Sequence, residues 1–124
     1  MEFAQVRYAD VVVFSVKGRV DHSSAEQFKA GLAPSLVGCA ASGYKLLLDL
    51  SELEYISSAG LRVLMLAARE VKARDGTLVV CELQPVVREI FEISRFNVVF
   101  KVYPTSGSAL GELSAAAAAA HAGA

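Results

Sequence analysis

Apolar residues along this chain fall into short continuous runs, separated by segments with helical spacing. "FAQVRYADVVVFSVKG" (3–18) reads as two strands with a break near Ala9 and Asp10. The second, Val11 to Val16, is too continuously apolar to face water on one side, which predicts a central strand. "GRVDHSSAEQFKAGLAPSL" then turns into a helix, because Ala25, Phe28, Leu32 and Leu36 recur at helical spacing. Ser23 and Glu26 have the S-x-x-E spacing of a capping box, and Pro34 is expected to kink or shorten that helix. "YKLLLDLSE" carries Leu46, Leu47 and Leu48 closed by Asp49, a short buried strand. A strand-like approach, β-branched and aromatic, ends at Ile56. A second helix is expected from Ser58 to Asp75, stopped by Asp75-Gly76. "TLVVCEL" is another buried strand. Pro85 suits the first position of a third helix reaching Ile93, since its missing N–H is not needed there. "NVVFKVY" is expected to be a last strand.

Strands that alternate with helices predict an α/β domain with a mixed, mostly parallel sheet of four to five strands packed against about four helices. The two opening strands are close enough in sequence to pair antiparallel. The 124 residues fit one domain, long enough to bury roughly two-thirds of the surface its unfolded chain exposes. The domain is expected over residues 1–110. From residue 111 the text becomes an alanine-rich, low-complexity tail, with six consecutive alanines before His121, and a frayed end is expected.

Composition narrows the function. Hydrophobic residues make up 54% and charged residues 20%, the profile of a globular chain. A formal net charge of -1, without a Lys/Arg cluster, gives no electrostatic case for nucleic acid or an anionic membrane surface. No stretch of ~20 apolar residues could span a bilayer, and Met1 to Gln5 do not open a secretory leader. A cytoplasmic location is the default expectation. Cys39 and Cys81 stand far apart, in no metal-binding spacing, and read as small buried hydrophobes. No cofactor or metal is expected.

The junction "EYISSAGLRVLMLAARE" (54–70) carries the chemistry. Ser57, Ser58, Ala59 and Gly60 place two hydroxyls and no bulk where a strand becomes a helix. A helix N-terminus offers four unpaired N–H groups and a partial positive charge. One serine suffices to cap it. Neither serine has Glu or Gln three residues on, and Gly60 in a first turn costs roughly 1 kcal/mol against Ala. The reading is that small residues keep the backbone approachable, so that an exposed hydroxyl can carry a phosphate stabilised by the helix dipole. Other anion sites fit less well. No lysine follows Gly60 as a P-loop requires, and Ile56 stands where a nucleophile elbow needs its first glycine. His22 beside Asp21 at a helix start reads as a cap-region residue rather than a catalytic base. An enzyme is not expected.

At these residues the chain resembles the STAS domain family, which includes bacterial anti-sigma factor antagonists and the C-terminal domains of sulfate transporters. "LLLDLSELEYISSAGLRVLMLAARE" is similar to the family's signature segment. "KGRVDHSSAEQF" resembles its first strand-to-helix junction, with Asp21 at the family's Asp, and "CELQPVVREIFEISRFNVVF" resembles its third helix and last strand. The resemblance implies an antagonist that, unphosphorylated, binds a GHKL-type serine kinase doubling as the anti-sigma factor, and so frees the sigma factor. It implies release when that kinase phosphorylates one serine at the start of the second helix, and reversal by a PP2C-type phosphatase. The family motif is Asp-Ser-Ser/Thr-Gly-Leu, with the phosphoserine directly after the Asp. Here Ser57 stands at the Asp, Ser58 at the phosphoserine and Ala59 at the second hydroxyl, while Gly60 and Leu61 match. Ser58 is thus the expected phosphorylation site, with Ser57 as the alternative. Ser57 can take over capping from the missing Asp. The alternative function is a STAS scaffold, or a regulatory subunit of a signalling complex that does not act through a sigma factor.

A partner surface can be read off the second helix. At about 100° per residue, Leu61, Leu64, Ala68 and Val71 cluster on one side, which packs on the sheet. Arg62, Arg69 and Glu70 point away. Leu66 falls among them and Val63 lies at the edge of that polar side, so these two apolar residues read as a small patch beside Ser58. Loops at the carboxyl ends of adjacent strands converge in α/β sheets, so Asp21 and His22 are expected near Ser58. The expected partner-binding set is Asp21, His22, Ser57, Ala59, Gly60, Arg62, Val63 and Leu66. The free protein is expected to be a monomer.

Overall fold

The run Val11–Val16 becomes the middle of the longest strand, and the sheet is built outward from it. The computed structural model describes residues 1–123. Strands β1 (Glu2–Tyr8) and β2 (Val11–Val20) form an antiparallel hairpin whose break is made by Ala9 in the left-handed region (φ 52). Helix α1 (Ala25–Val37) returns the chain to β3 (Lys45–Asp49), which lies parallel to the first half of β2. Strand β4 (Leu53–Ile56) lies parallel to the far end of β2, beyond β3. Helix α2 (Ser58–Ala73), β5 (Leu78–Cys81), α3 (Pro85–Ile93), a single turn α4 (Phe96–Val99) and β6 (Val102–Tyr103) follow, then α5 (Ser106–Leu113) and α6 (Ala115–Ala122). The main sheet order is β1-β2-β3-β5-β6, parallel except for β1.

The continuous apolar strands are explained by helices on both faces. Val12, Phe14, Val16, Leu46, Leu48 and Val80 point into a core shared with α1, α2 and α3. Val11, Val13, Leu47, Val79 and Cys81 point to the other face, where Ala109, Leu110 and Ala117 cover them. The expected α/β class with a mixed, mostly parallel sheet is found, with six strands and six helices among the described residues. No helix among them is long and apolar enough to cross a membrane.

Several local expectations are corrected. Residues 97–103 are not one strand: Arg95 takes a left-handed conformation (φ 60), Phe96–Val99 form a helical turn, and only Val102 and Tyr103 pair. The turn sets Phe96 and Phe100 against Phe91, with ring centroids 5.7 and 6.3 Å from it. Pro34 does not end α1, which runs on to Val37 with Pro34 on its exposed side. The Ser23–Glu26 box does not form. Ser24 occupies the N-cap of α1, and the turn before it is organised by Asp21. The alanine-rich end is not frayed over the described residues. The Ser114 hydroxyl caps α6 by accepting from Ala117 N–H at 3.1 Å and donates to Asp10 on the β1–β2 turn, and Ala117 is fully buried against the sheet. Alanine is the best intrinsic helix former, and its small side chain lets this helix lie close to the strands.

Candidate functional site

Two helices start side by side because two strands end side by side. Val20 of β2 and Ile56 of β4 are partners in the parallel ladder, and Ser57 N–H donates to Val20 O at 2.8 Å. From there β2 runs into the turn before α1, and β4 runs straight into α2. The expected convergence of the Asp21–His22 loop with the start of α2 is what the strand pairing produces.

The two serines have different duties. Ser57 is extended (φ -83, ψ 172) and half-buried; its hydroxyl accepts from Gly60 N–H at 3.2 Å and its carbonyl from Leu61 N–H at 2.9 Å. It is the N-cap of α2, as expected of a residue standing in for an aspartate. Ser58 is the first helical residue, exposed, and its hydroxyl makes no hydrogen bond among the described residues. Ala59 is half-buried and packs against the core beneath it.

Gly60 departs from the sequence reading. It is buried and faces inward, and a Cβ built on it would stand 2.7 Å from Ile56 Cγ1 and 2.8 Å from Val20 Cγ1. Its lack of a side chain lets α2 settle on the β2–β4 pair; it does not hold the outer surface open. That openness comes from Ser58 and Ala59 alone.

Ser58, Ala59, Leu61, Arg62 and Met65 of α2 join His22 and Phe96 around an open surface concavity of about 560 Å³. Its floor is apolar, and its rim carries one hydroxyl, one imidazole and one guanidinium. Arg62 and His22 are exposed. Nearby, the Arg19 guanidinium stacks on Tyr55 at 4.6 Å, across the same strand pair.

Asp21 does not line this concavity. Its carboxylate accepts from the Ser23 hydroxyl at 2.7 Å, from Ser24 N–H at 3.0 Å and from the Ser24 hydroxyl at 3.0 Å, while its own N–H donates back to Ser24 Oγ at 2.9 Å. The hydroxyl of Ser23, then that of Ser24, hold its carboxyl below the ordinary 3.8. Asp21 shapes the loop that presents His22. The apolar patch read from the helical wheel also divides. Val63 is 9% exposed, and with Leu66 it borders a small cavity shared with Leu32 and Leu36 of α1, separate from the concavity that Arg62 and Met65 line. Val63 belongs to the α1–α2 contact, and Leu66, 42% exposed, is the apolar residue left facing solvent there. Sequence reasoning missed Met65 and Phe96. Met65 lies two turns along α2 from Ser58 and was open to detection by helical spacing. Phe96 arrives from α4, some forty residues on, with no local signal.

Comparison with known proteins identifies the fold and the family. The sequence profile of the STAS domain matches residues 3–109. BtrV of Bordetella bronchiseptica, a protein named for an anti-sigma factor antagonist role, is 40% identical over 102 residues, covering 82% of this chain and 85% of BtrV. The fold is similar to the crystal structure of an anti-sigma factor antagonist from Mycobacterium paratuberculosis, with a TM-score of 0.79 at 24% identity over 90% of this chain and 92% of that one. It is also similar to the anti-sigma factor antagonist SpoIIAA in its unphosphorylated form (TM-score 0.70, 21% identity, 90% and 95% covered). The phosphorylated form of SpoIIAA from Bacillus matches with a TM-score of 0.66, at 19% identity over 91% and 100% of the two chains.

Proposed function

The chain belongs to the STAS domain family, and we propose that it is an anti-sigma factor antagonist whose hold on its partner is set by phosphorylation of Ser58. The observation that carries this reading is the division of labour at the start of α2. Ser57 is committed to the cap, while Ser58 stands exposed with a free hydroxyl on the rim of an apolar-floored concavity. The name of BtrV supports the antagonist role, and SpoIIAA, which shares the fold, exists in both phosphorylation states.

The partner is a GHKL-type serine kinase that is also the anti-sigma factor. It docks over His22, Ala59, Arg62, Met65 and Phe96, with Asp21 and Gly60 shaping the contact from beneath. A phosphate on Ser58 adds about -1.5 to -2 charges. At the first position of α2 the helix dipole favours that charge in the free protein. In the complex the same dianion would have to be stripped of water against Leu61, Met65 and Phe96, which costs several kcal/mol unless it is paired. The phosphate therefore weakens the complex more than it disturbs the fold. A PP2C-type phosphatase resets the switch, and the antagonist contributes no catalysis of its own.

The test is phosphorylation and complex formation with purified GHKL-type serine kinases of the host. A single phosphate at Ser58 is expected in the wild type and in Ser57→Ala, and none in Ser58→Ala. The complex should dissociate on adding ATP with the first two proteins and persist with the third. A phosphate at Ser57, or one that survives in Ser58→Ala, overturns the assignment. Stable binding that ATP does not alter replaces the switch with a scaffold role.

A further inference from the structure

The carboxyl ends of β3 and β5 carry a second chemical cluster, away from Ser58. Asp49 and Cys81 are partners in the β3–β5 ladder and share the face covered by α5. Glu82 follows Cys81 and in a regular strand would point to the opposite face. It takes instead a left-handed conformation (φ 58), while its N–H still donates to Tyr103 O at 3.1 Å. One ligand atom each of Asp49, Cys81 and Glu82 consequently lies within 4.8 Å of the other two.

Each carboxylate is only half used. Asp49 Oδ1 accepts from Ser51 N–H at 3.0 Å and Glu82 Oε2 accepts from Ser106 N–H at 2.8 Å, which leaves one oxygen on each. The Cys81 thiol is fully buried and makes no hydrogen bond among the described residues. Cys39, the other buried thiol, donates to Thr77 O at 3.3 Å. The Cys81 thiol is a weak donor left without a partner, and its sulfur lies within 4.8 Å of an oxygen of each carboxylate.

We propose that Asp49, Cys81 and Glu82 form a binding site for a borderline-soft divalent cation of the Zn²⁺ class. One thiolate and two carboxylate oxygens supply three ligands of a tetrahedron, and water supplies the fourth. Such a tetrahedron sets its ligand atoms roughly 3.5 Å apart, and the three atoms here lie within 4.8 Å of one another, so little movement would bring them to a common ion. A hard cation such as Mg²⁺ prefers an all-oxygen shell and gains nothing from the thiol. On binding, the Cys81 S–H bond breaks, the S–metal bond forms and one proton leaves to solvent. Burial and the two facing carboxylates otherwise push this thiol up to about 12, a field that the metal charge reverses. The site ties β3, β5 and the start of α5 together, so loading it raises stability.

The test uses Co²⁺ as a spectroscopic probe and Zn²⁺ as its competitor, on the full chain. One equivalent of Co²⁺ should produce a thiolate-to-metal charge-transfer band in the near ultraviolet, which Zn²⁺ bleaches. Zn²⁺ at about a hundred times its Kd should raise Tm by about 10 °C. Cys81→Ala should lose the band, and Cys39→Ala should keep it. Asp49→Asn and Glu82→Gln should each weaken Co²⁺ binding at least about tenfold, a result that decides the matter if Cys81→Ala fails to fold. Absence of the band in the wild type overturns the proposal. So does binding that is unchanged in Cys81→Ala, since it would belong to exposed carboxylates alone.

Discussion

Gly60→Ala separates two explanations of a small residue at the start of α2. If the glycine only keeps the outer surface approachable, a methyl there is free of clash and the helix gains about 1 kcal/mol of propensity. The structure requires the opposite sign. The new Cβ meets Ile56 Cγ1 at 2.7 Å and Val20 Cγ1 at 2.8 Å, where carbon pairs prefer about 3.5–4.0 Å. Both neighbours are β-branched and stiff at χ1. They are 1% and 0% exposed, and the ladder fixes them side by side. Overpacking of this kind costs about 1–3 kcal/mol. Set against the propensity gain, the net loss is about 1 kcal/mol. With about 2.1 cal/mol/K of unfolding entropy per residue, Tm falls by about 4 °C for this chain. Urea unfolding followed by circular dichroism measures the loss as a lowered midpoint at constant m. Gly111→Ala in α5 is the control, because a Cβ there meets nothing within 4 Å and propensity alone should raise stability. A Gly60→Ala protein as stable as the wild type, or more so, refutes the packing argument.

Acid should reveal the role of Asp21. Its folded carboxyl is held below the ordinary 3.8, first by the Ser23 hydroxyl and then by Ser24. The stabilisation it contributes is complete above that value and is lost as pH falls through the lowered one. Asp21→Asn should therefore be the less stable protein at neutral pH and should lose Tm less steeply than the wild type below about pH 4; parallel slopes in thermal melts would discard this role. Ala117→Asp tests the docking of α6. Ala117 is fully buried with Val11 and Val13, so the charge either is buried unpaired or drives the helix off, at a cost of about 1–3 kcal/mol. Hydrogen exchange should show α6 amides losing protection while those of α2 keep it, and retained protection of α6 would contradict the packing described.

How legible each part was in the sequence follows from the range of the interactions that decide it. The buried strands and the start of α3 at Pro85 announce themselves locally, through continuous apolar runs and one proline. Residues 97–103 are rich in β-branched and aromatic residues, as a strand is, yet a non-local demand decides them. Phe96 and Phe100 must both reach Phe91, and a helical turn after Arg95 achieves that. The alanine tail reads as a frayed end because composition does not show the sheet face it covers, and the Ser114–Asp10 contact spans most of the chain. At the candidate site, capping by Ser57 was readable because caps are local. The duties of Gly60, Val63 and Asp21 were not, because each depends on what lies across from it: the β2–β4 pair, α1, and the turn of Ser23 and Ser24. Small residues at a strand-to-helix junction thus carry two meanings at once. Gly60 looks inward and lets the helix seat, while Ser58 looks outward and is free for chemistry. The pattern of residue types alone does not say which is which, but the pairing of Val20 with Ile56 does.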